Sequence, residues 1–184
     1  MKILKILKSW LPYIIIIAVV LLVRIFLLIN ANIPTGSMNN TIPTESRIIG
    51  TKFAYWFSEP ERGDIIVFDA PDKPGTLYVK RVIGIPGDKV EIKYESVSDG
   101  NSEFMSNVTY VNGERIEEPY LLSQQWRGGE GVYEVPEDSV FVMGDNRDNS
   151  LDARFWSNKY VSYDKILGKA YLIYWPLSEF GWLY

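Results

Sequence analysis

Residues 76–85, Thr-Leu-Tyr-Val-Lys-Arg-Val-Ile-Gly-Ile, form a β-branched and aromatic run of strand length with two adjacent cations at its centre. Such runs, bounded by turn residues, favour β-strands over helices. Six more runs of this kind occur along the chain: RIIGTKF at 47–53, GDIIVFDA at 63–70, KVEIKY at 89–94, NVTYV at 107–111, SVFVMG at 139–144 and AYLIYW at 170–175. The sequence therefore predicts a mainly β fold after its first 30 residues.

Between residues 89 and 138 the composition becomes polar and rich in glycine, which indicates a short β subdomain inserted into a smaller β core. Asn112-Gly113 is the preferred dipeptide of a two-residue hairpin turn, so we expect a hairpin across 108–117. The polar stretch 96–102 is interpreted as a loop, and residues 124–129 are the part least like a core element.

Residues 11–29 are apolar apart from Arg24. At about 1.5 Å per residue this length spans a hydrocarbon core of roughly 30 Å. We therefore predict a basic tail over 1–9, a transmembrane anchor helix over 10–29 and a β domain over 31–184. A cleaved signal peptide is the alternative, but its apolar region is shorter and ends at small residues, whereas Ile29 and Ala31 make a poor cleavage site.

Three lysines precede the apolar segment, and no lysine or arginine follows it before Arg47. The positive-inside rule then places the N-terminus in the cytoplasm and residues 31–184 outside, with the lipid bilayer as a partner. The whole chain has a formal charge of −4, and its first 30 residues contain four basic residues and no acidic one. Residues 31–184 therefore carry a formal charge of −8. An acidic domain argues against nucleic acid as a partner.

The chain has no cysteine and no histidine. This excludes disulfides, thiolate nucleophiles, Ser-His-Asp triads and the usual zinc and haem ligand sets. A hydrolase with this composition needs lysine, a carboxylate or a terminal amine as its general base.

Lys80 and Arg81 are adjacent in an apolar strand, so they point to opposite faces and at least one lies in an unusual setting. A lysine in an apolar environment has a lowered pKa and can accept a proton from a serine hydroxyl. The alternative is a pair of charges that protects an edge strand from aggregation.

Residues 34–38, Pro-Thr-Gly-Ser-Met, follow the apolar segment closely and offer two hydroxyls beside a glycine. They are either a catalytic loop or a simple linker. Residues 144–154, Gly-Asp-Asn-Arg-Asp-Asn-Ser-Leu-Asp-Ala-Arg, follow a predicted strand. Their arginines and the missing twelfth-position glutamate exclude an EF-hand calcium loop, which leaves an orienting polar turn or a surface turn.

Together these segments resemble the bacterial type I signal peptidases, membrane-bound serine endopeptidases of the leader peptidase family. The resemblance covers most of the chain: residues 34–38, 62–68, 78–88, 144–154 and 167–170 occur in the family's order. It implies a β-rich catalytic core with an inserted β subdomain, signal-peptide-bearing preproteins as partners and no metal or organic cofactor. It also implies a single-pass protein of a bacterial plasma membrane.

The same resemblance assigns roles to residues. It implies Ser37 as the nucleophile, Lys80 as the general base, Ser150 as the residue that orients the lysine and Thr35 as an oxyanion donor. It implies a supporting network of Asp145, Arg147, Asp152 and Arg154, and it places Ile33, Met38 and Val79 at shallow pockets for an Ala-X-Ala site.

One departure from the family pattern is Asn40, which stands where the family has proline after the nucleophile. Three alternatives stay open at this point: a Ser/Lys self-processing peptidase related to the self-cleaving repressors, an organelle-resident relative, and an inactive or specialised membrane-anchored β domain.

Overall fold

A computed structural model describes residues 2–98, 100–121, 126 and 128–184, with side chains described from Trp10 onward. It begins with helix α1, Lys2–Leu22, which continues into a π-helical turn, Val23–Leu27. The window Trp10–Leu27 has a mean hydropathy of 2.6 and no buried residue, so its length and composition suit a membrane span. Residues 2–9, predicted as a separate basic tail, are part of α1, and Met1 lies outside the described residues.

The helix ends before the predicted anchor does. Leu28 and Ile29 belong to strand β1, Leu28–Asn32, which pairs antiparallel with Arg47–Thr51. Ile29 is buried in the core of the β domain, so tertiary packing decides the conformation of the last apolar residues. The β fold therefore begins at Leu28 rather than at residue 31.

The described residues contain twelve strands, which confirms the mainly β prediction. The other eleven are β2 Arg47–Thr51, β3 Ile65–Asp69, β4 Leu77–Gly84, β5 Lys89–Ser98, β6 Glu103–Val111, β7 Glu114–Arg115, β8 Gly131–Glu134, β9 Ser139–Met143, β10 Val161–Ser162, β11 Ile166–Trp175 and β12 Gly181–Trp182. The larger sheet has the order β1-β2-β11-β3-β4-β9-β10, with β12 paired to β11. All of its pairings are antiparallel.

The second sheet, in the order β7-β6-β5-β8, is built from residues 89–134, within the stretch predicted as an insertion. The expected hairpin is confirmed: Val111 pairs with Glu114 across the Asn112-Gly113 turn. The predicted loop at 96–102 is wrong for residues 96–98, which extend β5 because they pair with residues 103–105 of β6.

Two buried clusters organise the core. The first joins the sheets, since Val90 and Val111 of the second pack with Val82 and Phe141 of the first. Trp126 also belongs to it and is 2% exposed, so residues 124–129 contain a core side chain, contrary to expectation; Gln124, Gln125 and Arg127 lie outside the described residues. The second cluster includes Met38 and lies under residues 33–42, which lead from β1 to β2.

Candidate active site

Ser37 lies on a short 3-10 turn, Gly36–Met38, five residues after β1 ends. Met38 is fully buried and anchors this turn in the core, and Ser37 is 7% exposed. The backbone of Thr35 is extended before the turn begins. The turn therefore holds the Ser37 side chain in a fixed position with little exposure to solvent.

Lys80 lies in the middle of β4 and is 4% exposed. Its Nζ donates to Ser37 Oγ at 2.6 Å and to the Val79 carbonyl at 3.1 Å. The two side chains are 43 residues apart in sequence, and the structure brings them into direct contact. A hydroxyl bonded to a buried amine is the arrangement that lets lysine act as general base for a serine nucleophile.

Burial lowers the pKa of the Lys80 amine to about 8, because the charged form loses its hydration. The carboxylates of Asp152 and Asp145 oppose this shift by favouring the charged form. With a pKa near 8, about a tenth of the amine is neutral at pH 7 and about half at pH 8. A neutral amine can accept the proton of Ser37.

Residues 144–154, which follow β9, form a turn that is hydrogen-bonded to the Ser37 segment. The backbone N–H of Asn146 donates to the Ser37 carbonyl at 3.1 Å, and its side-chain amide donates to the Gly36 carbonyl at 3.0 Å. Gly144 provides the space for this approach. A Cβ at Gly144 would lie closer than 3.0 Å to the Ser37 carbonyl oxygen and to Ser150 Oγ.

The supporting residues expected around the site form buried ion pairs. Asp145 accepts two bonds from Arg81, at 2.9 and 2.8 Å, and a third from the Thr41 hydroxyl. Asp152 accepts from the Gly144 backbone N–H at 2.9 Å and pairs with Arg154 at 2.8 Å. These bonds hold the turn against β4 and β9.

Arg147 completes this network. Its Nε donates to the Gly144 carbonyl at 3.1 Å, and its guanidinium pairs with Glu118 of the insertion. Arg154 Nη2 donates to the Arg147 carbonyl at 2.7 Å. Removing one partner of a buried ion pair typically costs about 3–5 kcal/mol, because the other charge is left buried without compensation.

One expected contact differs in the structure. Ser150 is buried beside Gly144, but within the described part of the chain its hydroxyl has no hydrogen-bond partner, and the expected bond to Lys80 is not formed. The Lys80 amine instead donates to Ser37 and to its neighbouring carbonyl. Thr35, the expected oxyanion donor, is exposed just before the Gly36–Met38 turn.

A groove of about 370 Å³ leads to Ser37 and Lys80 between two strand edges. One wall is the end of β1 and the residues after it, and the other is the start of β4. Among the described strands β1 pairs only with β2, and β4 pairs with β9 only from Arg81 onward. Ile33, Met38 and Val79 line this groove while most of their surface lies in the core.

Residues of the site that were not assigned from the sequence include Arg81, Glu118 and Trp126. Arg81 has no role assigned from the sequence, and the alternation along β4 is the signal that separates it from Lys80. Glu118 and Trp126 lie in the polar insertion, where nothing in the local pattern marks them. Trp126 packs against the guanidinium groups of Arg147 and Arg154, each 5.0 Å from the centroid of its ring.

Within the described residues there is no group of three or more histidine, cysteine, aspartate or glutamate side chains that could hold a metal ion. The reactive groups that lie in contact at the site are the Ser37 hydroxyl and the Lys80 amine.

The chain is similar to known signal peptidases. The family model for "Signal peptidase, peptidase S26" matches residues 6–175. A probable signal peptidase I-2 from Synechocystis sp. is 36% identical over 166 residues, which cover 88% of this chain and 69% of the relative. A signal peptidase I from Bacillus caldolyticus is 33% identical over 187 residues, which cover 95% of this chain and 93% of the relative.

A crystal structure of a signal peptidase I from Enterococcus faecalis aligns at 28% identity with a TM-score of 0.46, covering 61% of this chain and 97% of that one. The family match extends over most of the chain, from within α1 to the end of β11. This chain therefore belongs to the S26 family of signal peptidases and is a peptidase of the type I signal peptidase group.

Proposed function

We propose that this chain is a membrane-anchored serine endopeptidase that cleaves signal peptides from exported preproteins after an Ala-X-Ala site, with Ser37 as nucleophile and Lys80 as general base. The observation that carries the proposal is the 2.6 Å contact between Lys80 Nζ and Ser37 Oγ, in which both residues are buried. Because the chain has no histidine, the general base must be another group, and Lys80 is in direct contact with the nucleophile.

The reaction is an acyl transfer in two stages. Neutral Lys80 takes the proton of Ser37 as its Oγ bonds to the scissile carbonyl carbon, and the protonated amine then gives that proton to the leaving amino group as the peptide bond breaks. The signal peptide stays as an ester on Ser37. Lys80 next takes a proton from water, the water oxygen attacks the ester, and the proton returns to Ser37 as the bond to it breaks.

Charge that develops on the carbonyl oxygen needs donors. We assign this role to the Ser37 backbone N–H and the Thr35 hydroxyl, which lines the groove. A donor aimed at the developing charge typically contributes about 3 kcal/mol to transition-state stabilisation. The buried Ser150 hydroxyl, which has no partner among the described residues, is assigned to orienting the Lys80 amine during the reaction.

Substrate residues before the cleavage site are proposed to bind as an extended strand in the groove. The free edges of β1 and of the start of β4 offer backbone groups to such a strand. Ile33, Met38 and Val79 form its apolar wall close to Ser37, and little space remains beside them. This arrangement favours alanine-sized side chains at positions −1 and −3.

The anchor contributes to efficiency. We place the N-terminus in the cytoplasm of a bacterial cell and the β domain across its plasma membrane, since the lysines precede the span. The signal peptide's apolar segment lies in the same bilayer, so confinement raises the effective concentration of the cleavage site near Ser37.

The proposal is tested with the full-length chain in detergent and a preprotein that has an Ala-X-Ala site. We expect one cut after the second alanine, identified by the mass of the mature product. Replacing the substrate alanine at −1 or −3 by leucine is expected to lower kcat/KM by about 100-fold. Placing leucine at −2 is expected to have little effect. Cutting at another bond, or equal cutting of all three variants, would contradict the proposal.

A further inference from the structure

Residues Glu118, Pro119 and Tyr120, which we call the insertion strap, follow β7 and belong to the inserted subdomain. They form no strand, yet they touch three separate parts of the active-site framework. Each contact joins the strap to a different sequence motif.

The first contact is with the residue that departs from the family pattern. Asn40 has a φ of +86°, in the left-handed region, and its side-chain amide donates to the Tyr120 carbonyl at 2.7 Å. Proline has a φ near −65° and no side-chain donor, so the family residue could make neither this conformation nor this bond. Asn40 lies only three residues after Ser37.

The second contact is with β4. The Arg81 guanidinium carbon lies over the Tyr120 ring, 4.1 Å from the ring centroid. Arg81 is adjacent to Lys80, and its guanidinium makes the two-point pair with Asp145. Asp145 in turn accepts a hydrogen bond from the Thr41 hydroxyl. Arg81 is therefore connected, through Asp145, to the segment that carries Ser37.

The third contact is with the turn after β9. The Glu118 carboxylate pairs with Arg147, and the two side chains are 7% and 1% exposed. Arg147 donates to the Gly144 carbonyl, beside the Ser37 carbonyl and Ser150. The Tyr120 hydroxyl also donates to Glu118 at 3.0 Å, so the contacts of the strap are linked to each other.

We infer that the insertion strap positions Ser37 relative to Lys80, with Tyr120 of the strap and its hydrogen-bond partner Asn40 as the positioning residues. Neither residue touches the reacting atoms. They act by fixing the turn that carries Ser37 against the strand that carries Lys80, and so make the insertion a working part of the catalytic domain. This inference rests on the proposed roles of Ser37 and Lys80.

The test uses the full-length chain and the preprotein assay. Tyr120→Ala removes the ring from Arg81 but keeps the backbone carbonyl, and Asn40→Asp replaces the amide donor by a second acceptor. Since small displacements of reacting groups lower the rate of chemistry, each variant is expected to lose about 10- to 100-fold in kcat with KM within about twofold of wild type. Tyr120→Phe is expected to restore most of the kcat lost in Tyr120→Ala.

The matched control is Tyr110→Ala, which removes an aromatic ring from β6 of the same insertion. It is expected to keep the wild-type kcat. Full kcat in both folded test variants, a fall that only follows the unfolded fraction measured by circular dichroism, or a Tyr120→Phe variant as slow as Tyr120→Ala would each overturn the inference. A wild-type chain that cuts nothing would instead refute the proposed function.

Discussion

Lys80→Met is expected to lower kcat/KM for the preprotein by about 10⁴-fold or more, while the chain still folds. Methionine has nearly the volume of lysine and suits the apolar surroundings of a residue that is 4% exposed. It has no atom that can take the proton of Ser37. Without a base, the hydroxyl is a weak nucleophile, and only substrate binding and oxyanion stabilisation remain.

Two comparisons make this result specific. Lys93→Met removes a lysine whose side chain is 51% exposed on β5, and it is expected to leave kcat/KM unchanged. Ser37→Ala combined with Lys80→Met is expected to be no slower than either single variant, because the two residues act as one unit. A correctly folded Lys80→Met chain with a tenth of the wild-type activity would rule out Lys80 as the base.

Gly144→Ala is expected to lower kcat by about 100-fold, the second largest effect. The new Cβ would come closer than 3.0 Å to the Ser37 carbonyl oxygen and to Ser150 Oγ. The backbone must shift to relieve these contacts, and a shift of the Ser37 turn changes the position of Ser37 Oγ relative to Lys80 Nζ. A shift of about 1 Å in a reacting group is enough for a loss of this size.

The matched control for this substitution is Gly181→Ala, whose Cβ would meet only the Glu179 carbonyl oxygen, at 3.8 Å. It is expected to keep both kcat and the thermal unfolding midpoint of the wild type. Wild-type kcat in Gly144→Ala would show that the close packing around the Ser37 carbonyl does not position the nucleophile.

The strands were predictable because their side chains repeat with the period of a sheet and are bounded by turn residues. RIIGTKF, GDIIVFDA and SVFVMG correspond to β2, β3 and β9. β1 was not predicted, because Leu28 and Ile29 continue an apolar helix without any local break. Only their pairing with Thr51 and Gly50 of β2, which lie 23 and 21 residues farther along the chain, makes them a strand.

The candidate site was predictable in its motifs but not in all its contacts. Alternation along β4 indicated that Lys80 and Arg81 face different surroundings, and the structure gives them Ser37 and Asp145 as partners. No sequence pattern places Glu118 beside Arg147, because a salt bridge between distant loops leaves no periodic signal. The insertion therefore looked peripheral in sequence, although it contacts the framework of the site.

The measurement that tests the central claim most directly is the pH dependence of kcat/KM for preprotein cleavage, with the fold checked by circular dichroism at each pH. The pKa of Lys80 is lowered to about 8, so the amine is neutral above that pH and protonated below it. We expect a plateau above pH 8 and a tenfold fall per pH unit below it, with an apparent pKa well under the value of about 10.4 for a free lysine. A rate that stays flat from pH 9 to pH 5 in the folded chain would contradict Lys80 as the general base.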